Sequence, residues 1–375
     1  MKIGIIITAL IVVGVLGELL LSPRPSTEQN PKAPSSAYFD YVVVIIMENK
    51  NLDETYGNAC IGNCTYITQL GNTYALALNY SGVAHGSGPN YQTLTSGANY
   101  SLNNKNYIYS TNIIDRIEAT GRTWKAYMED YTGGGCSRTS NQDALNAYEN
   151  EHNPFLFYPD INRNSTRCSR IVNANPGHEG YLSLPTVLLD DLNNVGEAPN
   201  FMWLTPNDCN NSHQTCTLES SVSHTCVPLA QCTSQGNEYL SMLVPKILNS
   251  GIFRTRHAAL FLTWDEGYDC PWPVTPPSLQ TYPTCIDLVP AIFAGPDVKR
   301  GYVSDTSFSH YSFVKTLEVA WSFPSITPLD ASATSMTGFF APPLATSSGV
   351  QQSFANWMAK DCCRADLKVR MNAGL

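Results

Sequence analysis

Two polar pairs in this chain follow apolar runs directly, and their residue types are those of a metal site. Glu48-Asn49 ends the run Tyr41 to Met47 (YVVVIIM), and Asp265-Glu266 ends the run Ala258 to Trp264 (AALFLTW). Three carboxylates and an amide offer oxygen donors, a set suited to a hard or borderline divalent cation. Converging without a cation, the carboxylates would repel one another, and the only basic residues flanking these motifs are Lys50 and Arg256. Ser87 adds a hydroxyl, placed between Gly86 and Gly88 just before Pro89. The glycines open the backbone to close approach, and the amides of a helix start favour an anion. A serine hydroxyl is a poor nucleophile until a base or a metal lowers its pKa, so a bound cation is its expected activator. His213 and His310, each at a strand or helix boundary, are candidates to contact phosphoryl oxygens or protonate a leaving group. Taken singly, each feature also has a plain structural reading: a strand-ending turn, an N-cap serine, a loop histidine.

The elements that must position these groups are short, β-branched-rich apolar runs, which read as strands buried on both faces of a mostly parallel sheet. Asn200 to Thr205 (NFMWLT) is a further such run, ending in the polar cluster Pro206-Asn207-Asp208 through His213, and Leu288 to Phe293 is another. Asn51 to Tyr66 reads as loop, and His85 to Gly97 as a tight turn opening a short helix. Helical patterns are expected at Tyr107 to Asp130, around Ile113, Ile114, Ile117 and Trp124, at Thr186 to Asn193, at Tyr239 to Ser250 with Gly251 as the stop, and at Tyr311 to Ala320 behind His310. Strands alternating with helices imply an α/β fold with a mainly parallel sheet, and ligands of such sheets bind outside the carboxyl ends of the strands. Three of the strands deliver polar clusters to that same edge.

The chain has 375 residues, a formal net charge of -9 and 14% charged residues, with its basic residues scattered. That lacks the electrostatic footprint of a nucleic-acid binder. Lys2 is followed by an apolar stretch from Ile3 to Leu21 broken by Glu18, so residues 1–22 read as a signal peptide or membrane anchor, and residues 3–21 as a possible membrane tether. Residues 23–37 are a Pro/Ser-rich tether, and residues 38–375 form the single domain, with a Cys-rich insertion near 209–232. Twelve cysteines in this setting are expected to be mostly disulfide-bonded, Cys60 with Cys64 among them, although Cys60/Cys64 and Cys209/Cys216/Cys226/Cys232 also mimic zinc spacings. Five sequons, at Asn63, Asn79, Asn99, Asn164 and Asn210, fit the same exterior. The expected location is extracellular, secreted or anchored to the outer face of the cell membrane.

The strings VVVIIMENKNLDETYG, HGSGPNYQTLTSG, HNPFLFYPD, TPNDCNNSH, LTWDEG and SHYSFVKTLE resemble the successive blocks of the acid phosphatase/phospholipase C-type phosphoesterase family, in the alkaline-phosphatase-like superfamily. The blocks keep the family's order from Tyr41 to about Trp321. Ser87-Gly88-Pro89-Asn90 is also similar to the nucleophile block of nucleotide pyrophosphatases/phosphodiesterases. The resemblance implies an alkaline-phosphatase-like three-layer α/β sandwich. It makes Ser87 the nucleophile that becomes phosphorylated, and Glu48, Asn49, Asp265 and Glu266 the protein ligands of one divalent metal of unstated identity, with the Ser87 oxygen completing the site. His85, Asn90 and His152 lie in matching blocks as candidates for substrate contact. One departure stands out: many relatives carry an acidic residue two positions before the histidine of the fourth block, where this chain has Asn211 before His213. Asp208 is the carboxylate that a shifted register would bring into that place. The Asp/His sets of two-metal members do not assemble.

The expected function is therefore exported, metal-dependent hydrolysis of phosphate monoesters through a phosphoserine, with a small phosphate ester as substrate. Phospholipase C-type cleavage of a phospholipid headgroup is the nearest alternative. A serine esterase would need a GxSxG elbow, which is missing around Ser87. A non-catalytic binding module would have no use for Glu48, Asn49, Ser87 and Asp265 together.

Overall fold

A strand whose side chains are apolar at every position is stable only where both faces of its sheet are covered. That is how the longest runs are used in the computed structural model, which describes residues 35–100, 106–132, 134–139, 141–143, 146–178, 180–214, 229–267 and 288–341. Tyr41–Met47 (β1) and Ala258–Trp264 (β6) pair in parallel along their whole length, Tyr41 against Ala258 through Met47 against Trp264. On the other side of β1, Phe201–Thr205 (β5) pairs in parallel, from Val42 against Phe201 to Ile45 against Leu204. All residues of β5 and β6 are buried. Burying an aliphatic side chain contributes about 1.5–3 kcal/mol, and this part of the fold must offset the cost of gathering acids at the strand ends.

Among the described residues the sheet has eight strands. With Ala75–Ala77 as β2, Trp124–Met128 as β3, Ile171–Asn173 as β4, Ala291–Ala294 as β7 and Tyr302–Ser304 as β8, the order is β8-β2-β7-β6-β1-β5-β3-β4. Only β7 runs against its neighbours, β6 and β2; every other pairing is parallel. One face carries Phe201, Trp203 and Phe261, which meet Trp321, Tyr91 and Phe313 of the helices Ser87–Ser96 and His310–Trp321. On the other, Met47 approaches Gly236 of the helix Leu229–Leu248. The architecture is the expected α/β sandwich with a mainly parallel central sheet.

Several local expectations change. Tyr107 to Asp130 is not one helix: Ile113–Ala119 is helical, the chain turns at Gly121 with φ of +79°, and Trp124–Met128 becomes a strand between β5 and β4. The apolar Ile113, Ile114 and Ile117 do form the buried helix face. Trp124 continues their spacing by coincidence. The segment from Asn51 is not all loop, since short helices form at Leu52–Thr55 and Asn58–Cys60 and a longer one at Thr65–Thr73. The helix expected at Tyr239 starts ten residues earlier, at Leu229, and Gly251 opens a new short helix, Gly251–Thr255.

The leader, all of the tether but its last three residues, and most of the 209–232 insertion lie outside the described residues. Among the described residues no helix is long and apolar enough to cross a membrane. Disulfides join Cys60 to Cys64 and Cys136 to Cys168, and Cys209 and Cys232 are disulfide-bonded as well. Of the sequon asparagines, Asn210 is fully buried and its amide donates to Glu129, which leaves it closed to a glycosylating enzyme. Asn164 is exposed.

Gly236 sets the distance between the long helix and the site. A Cβ there would run into Ser212 Oγ and lie 3.2 Å from Ser212 Cβ and 3.1 Å from Met47 Cε, against the loop and the strand end that carry the acids. In an open helix, alanine would be worth about 1 kcal/mol more than glycine. Overpacking a tight core costs about 1–3 kcal/mol. Gly236→Ala is therefore expected to destabilise the protein despite its better helix propensity, lowering the urea midpoint without changing the slope. A raised midpoint would show that the helix is free to move away.

Candidate active site

The carboxyl ends of β1 and β6 lie side by side because the strands are in register, and so Glu48-Asn49 and Asp265-Glu266 are neighbours. The backbone completes the junction: Asp265 N donates to the carbonyl of Met47 at 3.0 Å, Glu48 N to that of Asn211 at 2.8 Å, and Asn49 N to the Asp265 carboxylate at 3.1 Å. Asn49 takes a positive φ of 50°, a conformation asparagine tolerates better than most residues. Its turn lets the main chain meet Asp265 while the side chain donates to Glu48 Oε2 at 2.7 Å.

Ser87 is the first residue of a ten-residue helix that opens toward this junction, with Gly86 ahead of it at φ of +96°. Ser87 Oγ donates to Glu48 Oε2 at 3.0 Å, and the Gly86 amide donates to Glu266 Oε2 at 2.8 Å. The loop that delivers Ser87 is tied down by Asn90. Its amide oxygen accepts from Val83 N and Ala84 N, and its nitrogen donates to the carbonyls of Ala84 and Gly86. Asn90 is fully buried and occupied in this way, so it shapes the loop ahead of Ser87 instead of facing substrate space.

The histidines divide into distinct roles. His85, part-exposed at the mouth, places Nδ1 3.1 Å from Glu266 Oε2. His213 stands at the rim with 37% of its side chain exposed, Nδ1 at 3.5 Å from Asp208 Oδ2. His152 is buried behind Glu48, its Nε2 at 3.3 Å from Glu48 Oε1 and its Nδ1 at 3.3 Å from Asp208 Oδ1, with the ring stacked on Tyr91. That is a place behind the carboxylate, not the substrate contact expected from its sequence block.

His310 differs from expectation too. It is fully buried at the start of its helix, with Nε2 2.6 Å from the Asp265 carbonyl and Nδ1 3.0 Å from Tyr80 Oη. A carbonyl only accepts, so Nε2 carries the proton and Nδ1 accepts from the tyrosine. Burial pushes its pKa down to about 4, so the ring is neutral and holds the Asp265 backbone in place, poorly suited to protonating a leaving group.

Burial raises the carboxyls of Glu48 and Asp265 above the usual range, and charge adds to it: Asp265 acts on Glu48, and Glu266 on Asp265. Lys50 is buried beside them, donating to the Asn49 carbonyl at 2.8 Å, and burial lowers its pKa to about 8. Arg256 is exposed at the opposite, amino end of β6 and cannot balance the acids. Glu48 Oε1 and Asp265 Oδ2 are both buried without a hydrogen-bond partner. As the side chains stand, no three His, Cys, Asp or Glu groups among the described residues are gathered as a metal cluster. The donor set includes an amide and a hydroxyl, and Glu48 and Glu266 are turned onto Ser87, Asn49, Gly86 and His85. Unpartnered buried oxygens amid crowded acids fit a divalent cation.

Sequence reasoning gave little weight to the layer underneath. Asp208 is fully buried and its pKa is far below the carboxylate range: burial alone would raise it, but hydrogen bonds and charge from His152 and His213 more than offset that. Beside it, Glu129 accepts from Asn207 N at 3.1 Å, Asn210 Nδ2 at 2.8 Å and Tyr239 Oη at 2.6 Å, fixing the loop that carries Asp208. The run of asparagines in TPNDCNNSH was the available signal, since buried amides in series mark a hydrogen-bonded loop.

The pattern of the Phosphoesterase family matches residues 61–324. A probable acid phosphatase of Kluyveromyces lactis is 25% identical over 309 residues, spanning 79% of this chain and 62% of that protein. An acid phosphatase of Aspergillus fumigatus is 26% identical over 267 residues, spanning 69% and 51%. The chain thus spans less than two thirds of the length of these relatives. Among solved structures, the lipoteichoic acid synthase LtaP of Listeria monocytogenes aligns over 83% of this chain and 77% of its own with a TM-score of 0.53 and 10% identity. An alkaline phosphatase superfamily protein of Vibrio parahaemolyticus aligns over 80% and 70%, with a TM-score of 0.50 and 12% identity. These likenesses are of fold.

A ligand that binds only the folded state stabilises it by about 2.7 kcal/mol when its free concentration is about a hundredfold above Kd. Thermal unfolding in chelator and in saturating divalent cation is therefore expected to differ, with the higher melting temperature in cation. An unchanged melting temperature across magnesium, calcium, manganese and zinc would mean that the acids are balanced in some other way.

Proposed function

The chain belongs to the phosphoesterase family, and on that premise we propose that it is an exported, metal-dependent hydrolase of phosphate monoesters acting through a phosphoserine at Ser87. The observation that carries this reading is the seat of Ser87: first residue of a helix, 3.0 Å from Glu48 Oε2, with the Glu266-bound Gly86 amide beside it. Glu48, Asn49, Asp265 and Glu266, with the Ser87 oxygen, are the groups that would hold the divalent cation. When bound, the cation supplies Lewis acidity to the phosphoryl group and lowers the pKa of the serine hydroxyl.

The remaining chemistry belongs to the chain. First-turn amides of the Ser87 helix, which lack intrahelical acceptors, receive phosphoryl oxygens. Glu48 Oε2 orients the serine hydroxyl and takes its proton as Oγ bonds to phosphorus and the bond to the leaving oxygen breaks. His213, part-exposed at the rim, donates a proton to that leaving oxygen in this reading. Water then attacks the phosphoserine, releasing phosphate and returning the serine. His85 at the mouth is a further substrate contact. Export is supported by the paired cysteines, since disulfides persist in oxidising compartments.

Ser87→Ala is expected to lower aryl phosphate turnover by about a thousandfold or more while the protein still binds cation, because one oxygen donor is lost and the carboxylates remain. Asp265→Asn should lose cation and turnover together. The assay compares wild type and both variants, with and without chelator, on an aryl phosphate and on a phosphodiester. Chelator-insensitive turnover, or a Ser87→Ala protein near the wild-type rate, would overturn the assignment; faster cleavage of the diester would shift it to the phospholipase C type.

A further inference from the structure

We infer that Asp208 is a positioning residue for the nucleophile: its carboxylate fixes the His152 ring, and through that ring the Glu48 carboxylate that meets Ser87. The inference rests on the reading of Ser87 as nucleophile and adds to it a residue outside the candidate metal site. The contacts form a continuous line. Ser87 Oγ meets Glu48 Oε2 at 3.0 Å, Glu48 Oε1 lies 3.3 Å from His152 Nε2, and His152 Nδ1 lies 3.3 Å from Asp208 Oδ1. Glu48, His152 and Asp208 are each nearly or fully buried, so water cannot substitute for any of them.

Each member has its other degrees of freedom removed. Tyr91 stacks on the His152 ring with centroids 5.3 Å apart and planes 13° from parallel, and Thr205 Oγ1 donates to the His152 carbonyl at 3.0 Å. Asp208 accepts from Asn211 Nδ2 and Gln214 Nε2, both at 3.1 Å, besides facing the two histidines. Its backbone is held as well, N to the Ala147 carbonyl and the carbonyl to Gln214 N. Asn211, three positions on, is thus a donor to Asp208. The histidine contacts at 3.3 Å are longer than strong hydrogen bonds. They transmit position through charge and packing, and a group with that role should affect the reaction more than substrate binding.

Asp208→Asn keeps the size and removes the charge. On an aryl phosphate kcat is expected to fall about 10–100-fold, the range for removing a group that supports a metal ligand, with KM within about threefold of wild type. Calorimetric titration with manganese alone should show affinity weakened by a similar factor. His152→Gln should behave alike, and the double variant should lose no more than the larger single loss, because contacting residues are not additive. A melting-temperature cycle of the same variants in chelator reads the coupling without turnover or cation. Additive shifts in that cycle, or Asp208→Asn with wild-type kcat and manganese affinity, would overturn the inference. If Asp208→Asn does not fold, His152→Gln carries the test, and wild-type kcat in that variant overturns it. Wild-type protein that neither binds manganese nor turns over a phosphate ester would instead refute the functional reading, and the melting cycle would then decide whether Asp208 holds His152.

Discussion

Repulsion among buried acids is the constraint on which the rest of this structure depends. Parallel pairing of β1 and β6 in register brings Glu48-Asn49 beside Asp265-Glu266, and the apolar strands behind them keep water out. In such a place like charges cannot be screened, and removing a carboxylate from water costs several kcal/mol even after relaxation. The fold answers with donors of many kinds: the amides of Asn49 and Gly86, the Ser87 hydroxyl, the Lys50 ammonium nearby, and the His152 ring. Asp265 Oδ2 is still left without a hydrogen-bond donor.

The supporting residues make sense from the same constraint. Neutral His310 can sit against the Asp265 carbonyl because Tyr80 satisfies its other nitrogen, and so it adds no charge where charge is already difficult to balance. Asn90 spends its whole amide on the 83–86 loop, which fixes where the Ser87 helix begins. Glu129, pushed up to about 8 by burial, and Asp130, pushed up to about 6, take a network of asparagines and backbone amides at the end of β3. That network anchors the loop after β5 from one side, as the long helix does from the other through Tyr239.

Strands and acids were legible in the sequence because their signals are local. Tyr41–Met47 and Ala258–Trp264 have the bounds read from their apolar runs, and the polar residue after each run is where the sheet ends. Trp124–Met128 was not legible, since Ile113, Ile114, Ile117 and Trp124 share a helical spacing and only Gly121 marks the break. The short strands β2, β4 and β8 have three residues each, too few to show a period, and they owe their existence to neighbours already in place. The histidines show the same limit in the site. Sequence named His213 and His310 for catalysis and His152 for substrate contact, but exposure divides them otherwise: 37% for His213, and nearly none for the other two. Burial depends on what packs from elsewhere, and no local pattern carries it.

The placement of Asp208 is set by the turn that carries it. A carboxylate needs only to reach the right nitrogen, and a loop held by hydrogen bonds can present it from more than one position. In TPNDCNNSH the acid sits directly after Asn207, whose side chain accepts from Cys209 N and Asn210 N and so turns the backbone at that point. The turn folds Asn211 and Gln214 back onto Asp208 as donors and brings His213 Nδ1 to 3.5 Å from it. Geometry is thus set by the turn, and Asn211 takes part in it as a donor to Asp208. Read by spacing alone, the segment shows no acid two places before the histidine, yet its fold brings Asp208 to 3.3 Å from the His152 ring.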